Sequence, residues 1–460
     1  MSKEKVISNI VKIDEDLKRI ALEIWNNPET SHKEFKASSL EKDYLKSKGF
    51  SIKEIPNNPT SFIAEFGSGK PIIGLLGEYD ALPKLSQKVS AVREPLTSLD
   101  DPGHGCGHNL LGVGSMGAAI AVKEVMESEK ISGTIRYYGC AAEETLSGKS
   151  LMAREGVFDD LDCALTWHPT FINTLWGCSF LAMNSLKFRF KGIPSHAAAA
   201  PDAGRSALDA VELMDVGANF LREHVNEKIR IHYAITNGGG YPNTVPADAE
   251  VWYYVRAPKR SQVKATTERL IKIANGAAEM TETKMSYELI AGCYDIIANH
   301  IIGDVLLENM FEVGGPDFDE ADYKFAEELV QNLSPEQREA GLKTYFTPEK
   351  VRGQILSQEV IENEDYTEVM AGSTDVGDVS YITPTATLTA ACWPVGVSAH
   401  TWIATASTGS PIGVKAMIFA SKALAVTVYD LFKDPAIIAK AREEFKQRIG
   451  DFKYVSAYDE

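Results

Sequence analysis

Residues 103–144 read GHGCGHNLLGVGSMGAAIAVKEVMESEKISGTIRYYGCAAEE. A glycine-rich loop (103–109) leads into a helical segment over 110–128, whose small residues on one side suit close packing. TIRYYGCA (134–141) then reads as a buried strand, nearly continuous in apolar residues. PIIGLLGEY (71–79) has the same character upstream, and CALTWH (163–168) has it downstream. Strand and helix alternate, which predicts a mixed central sheet with helices on both faces.

Working outward, residues 4–26 and 33–48 carry helical periodicity, and SIKEI (51–55) and SFIAEF (61–66) read as short strands. From about Ser185 the pattern changes. Residues 187–293 read β-α-β-β-α-β, an inserted α+β domain. The flanking parts, 1–186 and 294–460, form one larger domain. The acidic stretch 312–350 reads as a loop-rich surface insertion. YITPTATLTAAC (381–392) resumes the α/β pattern, and helices follow.

The chain has 460 residues, 44% hydrophobic and 24% charged, which is ordinary for a globular protein. Lys and Arg number 47 against 64 Asp and Glu, a net charge of −17. A general nucleic-acid binder needs a basic footprint, so nucleic acid is excluded as the expected partner. MSKEKVISNIVKIDEDLKRI has no apolar signal segment, and no membrane span is expected. The late apolar segment GVKAMIFASKALAVTVYDLF is interrupted by Lys415 and Lys422, seven apart on one helical face. Six unclustered cysteines without a CxxC pair suit free thiols and a cytoplasmic location.

Five of nine histidines (His104, His108, His168, His196 and His400) lie in Gly-, Pro- or Ser-rich segments at apparent strand ends. Open α/β sheets place ligands there. In GHGCGHN, Cys106 and His108 stand two apart between glycines; thiolate and imidazole suit a zinc-like metal. A flexible loop around a buried cysteine would look the same. Glu143 and Glu144 adjoin at an apolar strand's end, where one could bind metal and the other act as a base; a solvated strand end is the alternative. His168, before Pro169, and His400, in SAHT, could be ligands or ordinary buried histidines. In the inserted domain, His196 follows GIPS, Asn243 follows GGGYP, and Arg256 could grip a carboxylate bidentately.

GEYDALP, GHGCGHNLLG, AAEET, TWHP, GIPSHAAAAP, GSTDVGDVSY and SAHTW occur in this order across nearly the whole chain. Together they resemble the two-metal aminoacylase and exopeptidase superfamily. Its members include bacterial glutamate carboxypeptidases, succinyl-diaminopimelate desuccinylases and amidohydrolases of indole-acetyl amino acids. The resemblance implies a zinc-exopeptidase-like catalytic domain and an inserted dimerisation or lid domain. It implies a metal-dependent amidohydrolase cleaving a small N-acyl amino acid of the p-aminobenzoyl-glutamate type, with two divalent metals per subunit, zinc or manganese, activating water. Cys106 matches the bridging ligand. His108 and Glu144 would complete one metal site, and His168 and His400 the other. Glu143 matches the general base, and Asp80 a residue orienting a ligand. His196 and Asn243 match residues that reach across a dimer, and Arg256 a contact to the substrate carboxylate. A homodimer is expected, or a heteromer with a related A-type subunit. Asn109 departs from the amidohydrolase branch, which has Asp there.

Rival readings remain. The run Gly112-Val-Gly-Ser-Met-Gly117 fits a dinucleotide fingerprint, but no strand directly precedes it. SGKS (147–150) mimics the tail of a P-loop without its leading glycine. A dipeptidase on β-alanyl-type or other small dipeptides would use the same residues. A non-catalytic partner in a heteromeric hydrolase would keep the fold.

Overall fold

The computed structural model describes residues 2–362 and 369–460. In chain order the main elements begin with helices α1 (Ser2–Val11), α2 (Asp14–Asn26) and α3 (Phe35–Ser47). Strands β1 (Ser51–Ile55), β2 (Asn58–Ser68) and β3 (Ile72–Glu78) precede α4 (His108–Glu129). Then come β4 (Gly133–Cys140), α5 (Gly148–Arg154), β5 (Cys163–Thr170) and β6 (Thr174–Leu175). The next segment holds β7 (Ala182–Lys191), α6 (Ala207–Leu221), β8 (Arg230–Asn237), β9 (Asp248–Ala257), α7 (Arg260–Met280) and β10 (Lys284–Cys293). Last are α8 (His300–Val313), α9 (Glu320–Val330), α10 (Pro335–Thr344), α11 (Glu349–Arg352), β11 (Thr385–Ala391), α12 (Trp402–Thr408), α13 (Pro411–Lys433) and α14 (Pro435–Ile449).

The chain divides into two compact units. The first comprises Met1–Cys178, Ile297–Met370 and Val379–Tyr454; the second comprises Ser179–Ile296, Ala371–Asp378 and Val455–Glu460. The first unit carries a seven-stranded mixed sheet in the order β1-β2-β4-β3-β5-β11-β6. Its centre, β4-β3-β5-β11, is parallel, and the outer pairings are antiparallel. From β3 the chain crosses through α4 to β4 on one side, then through α5 to β5 on the other. That reversal is the topological switch point, and it opens a crevice at the strand carboxyl ends.

Buried strands explain the apolar runs: β11 is buried at every position, and β3 at all but its first residue. Helix α13 is long and apolar enough to cross a membrane, but 83% of its most apolar window is buried in the core, where it packs on α4. The glycines of the dinucleotide-like run serve packing: a Cβ at Gly114 would lie 2.9 Å from the Trp167 ring.

Two local expectations differ from the structure. The helix over 4–26 breaks between Val11 and Asp14, so α1 and α2 are separate; Leu17, Ile20, Ala21 and Ile24 bury one face of α2. The 312–350 stretch is mostly helical. Asp319 with Asp322, and Ser334 with Gln337, close capping boxes that start α9 and α10. These helices are short and interrupted, so their period is faint.

The second unit is a four-stranded antiparallel sheet, β10-β7-β9-β8, with α6 and α7 packed together against it. Its core includes Phe188, Phe190, Val251, Tyr253, Met214 and Leu270. This is the expected β-α-β-β-α-β order.

One buried acid of the first unit sets a stability trend. Glu41 on α3 accepts a hydrogen bond from the Tyr137 hydroxyl, and burial raises its pKa from 4.5 to about 8. The folded state therefore keeps a proton that the unfolded state releases. This stabilisation is complete below about pH 4.5 and is lost as pH rises toward about 8. Glu41→Gln should leave Tm little changed at acidic pH and raise it relative to wild type above about pH 8, as read by thermal melts across that range.

Candidate active site

The site gathers at the carboxyl ends of β3, β4, β5 and β11. Strand β3 ends at Glu78, and Asp80 follows, both buried. Gly107 takes the left-handed φ of +78° that starts α4, which sets His108 in the first turn of the helix. Cys106 is buried just before it. Past β4 the chain turns sharply: Ala142 (φ +56°) and Leu146 (φ +55°) are left-handed, and the Ala142 carbonyl accepts N–H groups from Ser147 and Gly148. Glu143 and Glu144 stand on this turn. His168 lies near the end of β5. His400 (φ +61°) sits in the loop after β11, its N–H bonded to the Gly105 carbonyl at 2.8 Å.

Asp80 ties three of these elements together. Its Oδ1 lies 2.9 Å from His108 Nδ1. Its Oδ2 accepts the Glu144 N–H at 2.9 Å and the Ser31 hydroxyl at 2.8 Å. With Nδ1 engaged, Nε2 of His108 is left facing the cluster. His168 Nδ1 lies 2.8 Å from the Pro169 carbonyl, and its Nε2 lies 3.6 Å from Cys106 Sγ. Glu144 Oε2 lies 3.5 Å from His400 Nε2.

Two groups of donor atoms share Cys106. Cys106, His108 and His168 form one, and Cys106, Glu144 and His400 the other, with donor atoms within 4.8 Å of one another in each. This grouping differs from the expected one. The donor atoms of His108 group with those of His168, and the donor atoms of Glu144 with those of His400. Glu78, His108 and Glu143 form a third group. Among the described residues, no hydrogen bond of good geometry reaches the buried Glu78 Oε2, His108 Nε2 or Glu144 Oε1. Buried orphan atoms are costly, and a thiol, imidazoles and carboxylates together suit borderline divalent cations. The residues fit a pair of such ions.

Charge is unevenly held here. Burial, then the charge of Glu78, holds Glu143 well above the ordinary carboxylate range. Burial pushes Glu144 up to about 8. Burial also opposes ionisation of Asp80, yet its hydrogen bond to His108 and the charge there hold it down to about 2. Burial lowers His168 to about 4. Burial, then Glu144, raises the Cys106 thiol.

Two participants were not anticipated. Lys149 on α5, fully buried, places Nζ 2.7 Å from Glu78 Oε1. Glu78 Oε2 in turn lies 3.3 Å from His108 Nε2. The lysine of SGKS thus answers a carboxylate, not a phosphate. Its sequence signal is only a lysine in an otherwise buried strand-to-helix connection. Trp176 stacks on His168, with centroids 4.9 Å apart and planes at 33°. Asn109, the departure noted in sequence, donates to the carbonyls of Ala21 and Thr408 and pins α4.

The remaining expected site residues belong to the second unit. His196 is exposed, and its Nδ1 accepts the N–H groups of Ala198 and Ala199 at 3.3 and 3.2 Å. Asn243 is its neighbour, its carbonyl accepting the Ala197 N–H at 3.0 Å. Arg256, on β9, lies 5.6 Å from the Tyr254 ring centroid and 3.4 Å from Ser373 Oγ.

Comparison with known proteins gives the family and the fold. Residues 182–282 match the M20-type peptidase dimerisation domain. Over 439 residues the chain is 42% identical to the B-type subunit of p-aminobenzoyl-glutamate hydrolase from Escherichia coli (strain K12), covering 93% of this chain and 91% of that protein. It is 26% identical over 466 residues to Xaa-Arg dipeptidase of Mus musculus, covering 97% and 93%. An aminobenzoyl-glutamate utilization protein from Klebsiella pneumoniae shares the fold, with a TM-score of 0.62 at 16% identity over 91% of this chain and 97% of that one. A dinuclear metal-binding peptidase of the M20 family from Bacillus subtilis does so with a TM-score of 0.55 at 16% identity, over 91% and 99%. The chain belongs to the M20 peptidase family. Within it, the protein is a hydrolase of amide bonds.

The Lys149–Glu78 pair makes a stability prediction. Lys149→Met strands a buried carboxylate and should cost roughly 3–5 kcal/mol in urea unfolding. Adding Glu78→Gln should recover much of that loss.

Proposed function

We propose that this enzyme hydrolyses the amide bond of a small N-acyl amino acid of the p-aminobenzoyl-glutamate type, with two divalent metals per protomer. The observation that carries the reading is the sharing of Cys106 between two donor groups, with Glu143 beside them. Cys106, His108 and His168 would hold one ion, and Cys106, Glu144 and His400 the other. Such ions would supply Lewis acidity that lowers the pKa of a water from its bulk value toward about 7. The thiolate favours zinc, while carboxylates also accept manganese.

Glu143 is the general base. It takes a proton from the attacking water as the new C–O bond forms, and gives it to the amine nitrogen as the C–N bond breaks. Its buried carboxyl, raised above the ordinary range, suits a group that must return a proton as well as take one. Asp80 keeps His108 in the required tautomer. In the second unit, Arg256 would grip the substrate carboxylate, and His196 with Asn243 would serve the site of a partner protomer, His196 holding the developing oxyanion. Free, buried cysteines accord with a cytoplasmic setting.

The E. coli relative's name supports the arylamide substrate and a heteromer with an A-type subunit as the alternative assembly. The dipeptidase relative supports small dipeptides as the second reading. Glu143→Gln should lower kcat on p-aminobenzoyl-glutamate by about 10²–10⁴-fold with bound metal unchanged. Assay of both proteins against that compound, N-acyl amino acids and dipeptides ranks the substrate classes. A wild type that binds metal but cleaves none of them would overturn the proposal.

The matched dimerisation domain carries an exposed edge strand, β8, with Tyr233 and Ile235 uncovered, and an apolar stripe of Val216 and Phe220 on α6. Uncovered edges of this kind invite pairing. We infer a homodimer through this surface. Ile235→Asp should shift the protein to monomer in sedimentation, with its thermal unfolding largely retained.

A further inference from the structure

We propose that the segment between α2 and α3, Ser31 to Glu34, is a brace that positions the turn bearing the catalytic base. The inference rests on Glu143 being that base. Three side chains of this short segment reach three parts of the site. Ser31 donates to Asp80 Oδ2 at 2.8 Å. His32 Nε2 lies 2.8 Å from Ser147 Oγ, at the far end of the turn. Glu34, fully buried, accepts the Ala142 N–H on Oε1 at 2.8 Å, and the same oxygen accepts the N–H of His32 at 2.9 Å. The segment is itself anchored, because the Ala81 N–H donates to the Glu29 carbonyl at 2.8 Å beside Asp80.

The need for a brace follows from the backbone. Ala142 and Leu146 are both left-handed, a conformation that non-glycine residues keep only when their surroundings enforce it. Backbone hydrogen bonds fold the turn on itself: the Leu146 N–H meets the Glu143 carbonyl, and the Ser147 and Gly148 N–H groups meet the Ala142 carbonyl. These bonds do not engage the Ala142 N–H. Glu34 meets that group, one residue before Glu143. Asp80 meets the Glu144 N–H one residue after. The base is thus clamped on both sides, by a carboxylate from the N-terminal segment and by one from β3's end. Glu34 acts through the backbone N–H groups of His32 and Ala142; it is a positioning residue.

The test is amide exchange of the 140–148 region with steady-state kinetics and bound-metal analysis, on wild type, Glu34→Ala, Glu34→Gln and His32→Ala. Glu34→Ala should speed exchange in that region by about tenfold or more while α4 keeps its protection. Its kcat should fall by about 100-fold with KM within about threefold and metal content unchanged. Glu34→Gln, which retains an acceptor oxygen, should restore most of both. Should Glu34→Ala not fold, His32→Ala carries the test, with faster exchange at 145–148 and a smaller fall in kcat. Unchanged exchange, or a loss of activity that follows loss of metal, overturns the brace. If instead Glu143→Gln keeps its activity, the base assignment fails, while the exchange data still judge the brace on their own.

Discussion

The carboxylate of Asp80 is the joint on which the site depends. One oxygen fixes His108; the other fixes the backbone of Glu144 and the hydroxyl of Ser31. Three chain segments far apart in sequence thereby share a single anion. Burial alone would favour a neutral acid, but these donors favour the charged form. Glu143 and Glu144 are pushed the other way, because burial dominates there. One carboxylate is held ionised beside His108, and two others are held toward the neutral form. That contrast follows from hydrogen bonding, not from residue type.

A fully buried lysine beside the site follows the same logic. Glu78, Asp80, Glu143 and Glu144 would crowd four negative charges into one crevice. Lys149 and His108 offset part of that charge where solvent does not reach. The parallel centre of the sheet makes the crowding possible, because its strands all deliver their carboxyl ends to one edge.

Much of this was legible in sequence. The continuous apolar runs of β3, β4 and β5 announced a covered sheet, and the switch at about Ser185 announced the second unit. Glycines around Cys106 and His108, and the adjacent glutamates after an apolar strand, marked the site. Other features depend on partners distant in the chain. The contact that Asp80 makes with His108 joins residues 28 apart in the chain, which spacing does not encode. Lys149 reads as a surface lysine until Glu78 is placed against it. Glu34 reads as a helix-flanking acid until the Ala142 N–H is placed against it. The helices of the 312–350 stretch were obscured by their shortness, since a few turns carry little period.

The proposed chemistry requires Cys106 to serve two metal positions. Anomalous diffraction from crystals grown with zinc tests it most directly. Two peaks should flank Cys106 Sγ, one on the His108–His168 side and one on the Glu144–His400 side. A single peak, or peaks that leave Cys106 without a bound ion, would contradict it.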